Sequence, residues 1–378
     1  MLFRSIDRAV GRSDRWLLAS VLVLAPFGVL MVQSATGSSL TAPDAITSQA
    51  LRQLAIIVAG IAAMLLTARI DYRILQRLAV PIYGSALALL GVVLLLGVAQ
   101  FGAQRWIGVG GATVQPSELA KLALILTTAA YLADRPAHTR PLFTALMLLG
   151  APLAMIVVQP DTGTALVLSG AWLGIVIAWG APWRVLGTML AVAAALAPLL
   201  FAVAVPGYQR ERIAVFLDPA RDPLGSGFNL QQAEAALRAG GMTGRGLFGA
   251  DSALTFVSAR SSDFMLAHIG EALGLLGAAA LLAIFALLIW RGLSTARTAP
   301  DSFGRLLATG LTVAIFTQAA IHIAANLRAL PTTGIPLPFV SQGGSSLLVM
   351  CVAAGLLQSI ASHRTPDARD RWSARRWH

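Results

Sequence analysis

Long apolar segments constrain the fold of this chain more than any other feature. A helix that crosses the hydrocarbon core of a bilayer needs about 20 predominantly apolar residues. Charged residues make up only 12% of the 378 residues, well below the share found in soluble domains. The sequence therefore predicts an all-α polytopic membrane protein, a single membrane domain over 1–378 with about ten transmembrane helices. The apolar runs lie at 16–35, 51–68, 78–99, 118–133, 142–159, 163–181, 185–206, 266–290, 305–326 and 344–361.

The distribution of arginine predicts the orientation, since Lys121 is the only lysine. Cytoplasmic loops of membrane proteins carry an excess of Arg and Lys. If the N-terminus is cytoplasmic, most arginines fall in the termini and the inner loops, and the short outer loops hold few. This pattern predicts a multi-pass membrane protein, surrounded by membrane lipids, with both termini in the cytoplasm. Nucleic-acid binding is disfavoured, because the arginines lie in short gaps between apolar runs rather than on one polar face.

One loop is much longer than the others. Residues 207–264 are polar and glycine-rich and lie between the seventh and eighth apolar runs. Long loops in compact folds are usually functional or disordered. This one combines a helical pattern, NLQQAEAALRA, with glycine turns in GGMTGRGLFG. We expect a large, ordered extracytoplasmic loop.

A pair of charges stands at the start of the fourth run. Glu118 and Lys121 are three residues apart, so their side chains share one helix face and can pair. Two interpretations stay open: an ion pair that lets both charges sit at the membrane boundary, and a pair that lines a polar cavity. Pro116 suits the first turn of a helix, and Gln115 or Ser117 can supply early capping.

Two aspartates precede apolar runs. Asp161 is expected to cap the N-terminus of the sixth helix, where the helix dipole stabilises an acid. Asp263 stands where the large loop meets the eighth helix and is either an N-cap or a catalytic carboxylate. A helix continued through it places Asp263, Ala267 and Glu271 roughly on one face.

The segment NLRALPTTGIPLPFVSQGGSS, at 326–346, contains three prolines and cannot be regular helix. Irregular backbone at membrane depth persists only where protein or a watery cavity satisfies its polar groups. Its GGSS end, which includes Ser345, opens the tenth helix, and such N–H groups favour an anion such as pyrophosphate. The scattered histidines and the single Cys351 indicate neither a zinc site nor an intrachain disulfide.

Motifs in this order resemble those of the SEDS family, whose best-known members are RodA and FtsW. The resemblance covers nearly the whole chain and implies a ten-helix fold with a large outer loop before the eighth helix. The string GIPLP is closer to the RodA branch. The matching motifs are QRWI (104–107), QPSELAK (115–121), QPDTGTA (159–165), RIAVFLDPARDPLGSGFNLQQ (212–232), SSDFMLAHIGEALG (261–274) and LPTTGIPLPFVSQGGSS (330–346).

The resemblance implies a peptidoglycan glycosyltransferase that polymerises lipid II at the outer face of a bacterial cytoplasmic (inner) membrane. The 4-hydroxyl of the acceptor GlcNAc attacks the anomeric carbon of the donor MurNAc, and undecaprenyl pyrophosphate leaves with inversion. Asp263 aligns with the essential aspartate of the family and is assigned as general base. The expected substrate-binding residues are Arg105, Glu118, Lys121, Arg212, Arg245 and Ser345.

The family also implies a partner, a class B penicillin-binding protein that cross-links the glycan. No cofactor is assigned. A divalent cation (Mg or Mn) could share the pyrophosphate charge, but the sequence shows no binding cluster, so the metal site is unknown.

The chain departs from the family pattern at several positions. SARSSD replaces an acid and a histidine before the aspartate, and one acid of a pair after it is Ala272. Gln342 replaces a tyrosine, and Arg245 replaces a lysine between two glycines. Two alternatives stay open: a lipid II flippase, and a non-catalytic scaffold for the penicillin-binding protein.

Overall fold

The computed structural model describes residues 14–36, 46–100, 103–109, 112–204, 207–248, 254, 257 and 259–363. The basic terminal segments, on which the predicted orientation partly depends, lie outside these ranges. Twelve helices occur within them. They are α1 (Arg15–Thr36), α2 (Ser48–Arg69), α3 (Tyr72–Leu96), α4 (Pro116–Ala133), α5 (Thr139–Val158), α6 (Thr162–Trp179), α7 (Trp183–Ala204), α8 (Gly207–Leu217), α9 (Ser226–Gly240), α10 (Met265–Thr298), α11 (Ser302–Asn326) and α12 (Gly344–Ser362).

The predicted membrane helices are present. Helices α1–α7 and α10–α12 coincide with the ten apolar runs, which confirms the all-α polytopic fold. In the described part of the chain, 8 helices combine sufficient length with sufficient hydropathy to span a bilayer. The remaining two of the ten are α4, which carries Glu118 and Lys121, and α7.

Helix α11 is central in the bundle and packs against α4, α6, α10 and α12. Small residues permit this close approach, as is usual where membrane helices meet. A Cβ added to Gly170 of α6 would lie 2.7 Å from Thr317 Oγ1, and one added to Gly174 would lie 2.7 Å from Val313 Cγ2. In this packing the polar side chains of Gln318, His322 and Asn326 of α11 are buried.

One end of the bundle, which we call the terminal end, brings together the first and last described segments. Asp14, directly before α1, forms an ion pair with Arg291 of α10, with 2.6 Å between Asp14 Oδ2 and Arg291 Nη2. The Asp14 N–H donates to Gln358 Oε1 at 2.9 Å, and Gln358 Nε2 donates back to the Asp14 carbonyl at 2.8 Å. These contacts join α1, α10 and α12.

The opposite end, which we call the loop end, contains the irregular structure. A small antiparallel sheet connects α3 to α4, and the sequence did not predict it. Its strands are β1 (Val98–Gln100), β2 (Ala103–Val109) and β3 (Ala112–Val114), with Ile107 opposite Val114. The apolar run at 78–99 extends into β1, so its final residues are not helical.

The large loop contains α8, a short 3₁₀ helix (Pro219–Arg221) and α9, followed by a turn that contacts α10. There α10 is interrupted at Gly274, whose φ of 68° and ψ of −167° are not helical. The prediction of one regular eighth helix is wrong at this residue. The turn supplies hydrogen bonds across the break: Gly246 N–H to Ala272 O at 3.0 Å, and Leu275 N–H to Gly241 O at 2.9 Å. The interruption is tolerated because protein satisfies its backbone.

Candidate active site

Asp263 lies in a turn at the loop end, immediately before α10. The N-cap of α10 is Phe264, whose side chain makes no capping hydrogen bond. The interpretation of Asp263 as an N-cap is therefore wrong. Because Asp263 precedes the helix, its alignment with Glu271 on one helical face is also wrong.

The Asp263 carboxylate and the Arg212 guanidinium both approach Gly334. A Cβ added to Gly334 would lie 3.8 Å from Asp263 Oδ2 and 3.9 Å from Arg212 Nη1. Gly334 has a φ of 73°, which favours glycine. A base and a cation thus meet at a point where the backbone carries no side chain.

Arg212 reaches this point from α8 and donates from Nη1 to the carbonyl of Thr332 at 3.0 Å. Burial raises the pKa of Asp263, and a hydrogen bond with Ser262 and the charge of Arg212 offset part of that rise. A carboxyl group with a raised pKa is a stronger base once it is ionised.

The irregular segment between α11 and α12 (327–343) is held by polar side chains of α11. Gln318 Nε2 donates to Pro336 O at 3.0 Å, and His322 Nδ1 lies 2.9 Å from Ile335 O. For these two carbonyls, protein side chains rather than a watery cavity satisfy the irregular backbone. These polar residues of α11 were not among the candidate residues predicted from the sequence, although Gln318, His322 and Asn326 recur every four positions in an apolar helix.

Ser261, in the turn that carries Asp263, contacts Gln342 of the irregular segment. Ser261 Oγ donates to Gln342 Oε1 at 2.8 Å, and the Gln342 N–H donates to Ser261 O at 2.9 Å. The turn that carries Asp263 is thereby joined to the irregular segment.

Glu118 and Lys121 form the predicted ion pair, with 2.8 Å between Lys121 Nζ and Glu118 Oε2 and side chains only 2% exposed. Lys121 also donates to Gln318 Oε1 at 2.8 Å. Gln318 donates in turn to Ser346 Oγ at 3.0 Å. The pair therefore connects α4 through α11 to the first turn of α12.

Asp161 is the N-cap of α6, as predicted, and accepts the Thr164 N–H at 3.2 Å. It also accepts hydrogen bonds from Gln115 Nε2 at 2.8 Å and Ser117 Oγ at 3.3 Å. Gln115 is the N-cap of α4 but makes no side-chain capping bond. The predicted capping of α4 by Gln115 is wrong, because its amide turns towards Asp161 instead.

Arg105, predicted to bind substrate, already has protein partners. Its Nε donates to Gln159 O at 3.0 Å, its Nη2 donates to Pro160 O, and its Nη1 lies 3.8 Å from Asp161 Oδ1. In this structure Arg105 joins β2 to the α5–α6 junction through these hydrogen bonds.

The other two predicted binding residues also lie at the loop end. Ser345 Oγ accepts the Gln115 N–H at 3.0 Å, so it joins α12 to α4. Arg245 is exposed, and its N–H donates to Glu271 O at 2.9 Å beside the break in α10. Among described residues, no group of three or more His, Cys, Asp or Glu side chains is placed to hold a metal ion.

Comparison with known proteins gives a consistent result. The model of the FtsW/RodA/SpoVE family, described as cell cycle protein, matches residues 15–366. Peptidoglycan glycosyltransferase MrdB of Escherichia coli K12 is 35% identical over 93% of this chain and 94% of its own length. Probable peptidoglycan glycosyltransferase FtsW of Geobacter metallireducens is 36% identical over 94% of this chain and 96% of its own.

Solved structures show the same fold. A chain from a peptidoglycan synthase complex that coordinates polymerization and crosslinking gives a TM-score of 0.80 at 31% identity, covering 94% of this chain and 99% of that one. The rod shape determining protein RodA of Thermus thermophilus gives a TM-score of 0.70 at 27% identity, covering 94% and 98%.

Proposed function

The chain belongs to the FtsW/RodA/SpoVE family and is a peptidoglycan glycosyltransferase, and we propose that it polymerises lipid II with Asp263 as general base. The observation that carries the proposal is the approach of the Asp263 carboxylate and the Arg212 guanidinium to Gly334. Glycosyl transfer needs a base for the acceptor hydroxyl and positive charge for the departing pyrophosphate.

In the proposed reaction, Asp263 accepts the proton of the acceptor GlcNAc 4-hydroxyl as its oxygen attacks the anomeric carbon of the donor. The bond to undecaprenyl pyrophosphate breaks on the opposite side of the sugar ring, so the configuration inverts. Arg212 faces the same space and stabilises developing negative charge. Arg245, exposed on the adjoining turn, is placed to meet the polar part of the substrate as it arrives.

We assign the loop end to the outer face of the cytoplasmic membrane. The candidate site lies at this end, and the sequence places most arginines on the opposite side. Lipid II polymerised there is next to the compartment in which the glycan is deposited.

We also propose that the protein works with a class B penicillin-binding protein. The support is the structural similarity to a chain of a peptidoglycan synthase complex that coordinates polymerization and crosslinking. That enzyme would cross-link the strands polymerised here.

The test is polymerisation of lipid II by the purified full chain, with and without a class B penicillin-binding protein of the same organism. We expect Asp263→Asn to lose roughly 10²-fold or more of the rate, the scale of general-base catalysis. Asp218→Asn makes the same chemical change in the large loop, at a side chain that is 57% exposed, and should keep wild-type activity.

The outcomes separate the alternatives. Polymer from wild type but not from Asp263→Asn supports both the reaction and the base. Polymer from both removes Asp263 from the mechanism. Translocation of lipid II across vesicles without polymer from the folded complex would indicate a flippase, and neither activity would indicate a scaffold.

A further inference from the structure

The first turn of α10 is capped by a residue of another helix. The Ala267 N–H, in this turn, has no acceptor on the N-cap residue Phe264 and donates to Asn326 Oδ1 at 3.0 Å. One residue further along, the regular pattern begins, since the His268 N–H donates to Phe264 O at 3.0 Å. Asn326, the last residue of α11, therefore supplies the cap that α10 lacks.

The same carboxamide also binds the backbone of Asp263. Asn326 Nδ2 donates to Asp263 O at 2.9 Å and to His322 O at 2.9 Å. In a continuous α-helix, the Ala267 N–H would bond directly to the Asp263 carbonyl, four residues earlier. The side-chain amide occupies the place of that backbone hydrogen bond, with its oxygen towards one partner and its nitrogen towards the other.

We propose that Asn326 is a positioning residue that holds Asp263 outside α10 with its carboxylate directed at the reaction. The inference rests on the proposed role of Asp263 as base. If α10 extended backwards by a turn, Asp263 would take up helical backbone angles. Its side chain would then leave the direction of Gly334 and Arg212.

The environment makes the two hydrogen bonds effective. Asn326 is only 3% exposed, so water does not compete for its amide. His322 O accepts one of the Nδ2 hydrogens, which fixes the orientation of the amide group. Only a side chain with both a donor and an acceptor at this distance can bridge Asp263 O and Ala267 N–H.

If Asn326 had a purely structural role, its substitution would lower stability without a specific loss of turnover. A second buried amide in the chain serves as the matched control for a purely structural effect. Gln358 of α12 is also 3% exposed and bridges the N–H and carbonyl of Asp14 with its carboxamide. This contact lies at the terminal end, away from the candidate site. Substitution by leucine removes a buried carboxamide in either case, with three hydrogen bonds lost at Asn326 and two at Gln358.

The experiment measures kcat and KM for lipid II, and the thermal unfolding midpoint in detergent, for Asn326→Leu, Asn326→Asp and Gln358→Leu in the full-length protein with its partner. We expect kcat to fall about tenfold or more in both Asn326 variants, since misplacing a catalytic group by about 1 Å can cost up to 10²-fold. KM should change by about twofold at most, because ground-state binding is retained. Gln358→Leu should lower the unfolding midpoint but keep the wild-type kcat of folded protein.

Asn326→Asp is nearly isosteric and still accepts the Ala267 N–H, but it cannot donate to Asp263 O. It therefore carries the test if Asn326→Leu does not fold. Wild-type kcat in folded Asn326→Asp would overturn the inference, as would an equal loss of kcat in Gln358→Leu.

Asp263→Asn, assayed in parallel, separates this inference from the proposed function. If Asp263→Asn is inactive while both Asn326 variants have normal kcat, only the positioning role fails. If Asp263→Asn is active, the assignment of Asp263 as base fails. Any loss of kcat in the Asn326 variants then has a cause other than the position of Asp263.

Discussion

Asp161 and Asp263 both lie at the loop end, close to the start of a membrane helix, and their carboxylates have different partners. Asp161 caps its own helix and also accepts hydrogen bonds from the side chains of Gln115 and Ser117, so protein donors occupy its carboxylate oxygens. At Asp263 the following helix is capped by Asn326 instead. Because a neighbouring helix supplies the cap, the Asp263 carboxylate remains directed at Gly334 and Arg212. An aspartate near the start of a helix thus serves structure in one case and, as proposed, chemistry in the other.

Substitution of Arg212 should shift the acid limb of the pH–rate profile, where the rate falls as Asp263 becomes protonated. Burial raises the pKa of Asp263, and the positive charge of Arg212 opposes that rise. The rate should therefore fall, as the pH is lowered, through a pKa above the usual range of aspartate. Removing the charge in Arg212→Gln should move this limb to still higher pH, as measured by kcat/KM for lipid II across pH.

Arg221→Gln is the matched control for this prediction. It removes the same charge from the same loop, at a side chain that is 61% exposed and paired with Asp218. Its acid limb should coincide with that of the wild type. A limb that stays in place or moves to lower pH in Arg212→Gln would contradict the electrostatic argument.

The break in α10 shows how an element of a membrane protein can be interrupted without exposing its backbone. Gly240 and Gly244 approach α10 so closely that an added Cβ would overlap Gly270 O and Ala272 O respectively. At Gly274 an added Cβ would overlap the N–H of Gly244. The three glycines allow main-chain atoms of the large loop to approach those of the helix closely at the break.

Gly274→Ala should therefore destabilise the protein. The backbone angles of this residue lie in a region that is essentially restricted to glycine, where a strained residue costs of order 1–3 kcal/mol. The measurement is the free energy of unfolding in detergent, together with proteolysis of the turn at 241–246. We expect lower stability and faster cleavage in the turn, since the added methyl group separates it from α10.

Gly187→Ala provides the comparison. Gly187 lies inside α7, and an added Cβ would meet nothing within 4 Å. Alanine has the higher helix propensity, by about 1 kcal/mol, so this variant should be neutral or slightly stabilised. Equal stability of the two variants would mean that the interruption at Gly274 carries no strain.

At the scale of the whole molecule, the two ends of the bundle differ in the structure that they contain. At the terminal end, buried or half-buried ion pairs such as Asp14–Arg291 join helices that are distant in sequence. At the loop end, irregular backbone from the large loop and from 327–343 surrounds Asp263. An enzyme that acts on a membrane-bound substrate from one side of the bilayer needs this asymmetry. The proposed orientation places the loop end on the outer side.

The orientation can be measured with introduced cysteines. In a Cys351→Ala background, Leu224→Cys lies in the large loop at a position that is 92% exposed, and His138→Cys lies at the exposed start of α5 on the opposite side of the bundle. We expect a membrane-impermeant maleimide to label Leu224→Cys in intact spheroplasts. His138→Cys should be labelled only after permeabilisation, and the reverse pattern would invert the proposed topology.

Several features could be predicted from the sequence because they depend on neighbouring residues or on composition. The membrane helices follow from the length of each apolar run, and the Glu118–Lys121 pair follows from helical spacing. The irregular segment before α12 follows from its prolines. The motifs that carry the family resemblance identified Asp263 as the candidate base.

The remaining features were decided by contacts between residues far apart in the chain. Gln115 and Ser117 turn to Asp161, Ser261 pairs with Gln342, and the turn at 241–246 satisfies the break in α10. Asn326 reaches Asp263 from a helix 63 residues away. No local pattern encodes such partners, because a buried polar group takes whichever donor or acceptor the packed helices bring to it. Sequence therefore determined the spans and the candidate base, whereas tertiary structure decided what holds that base in place.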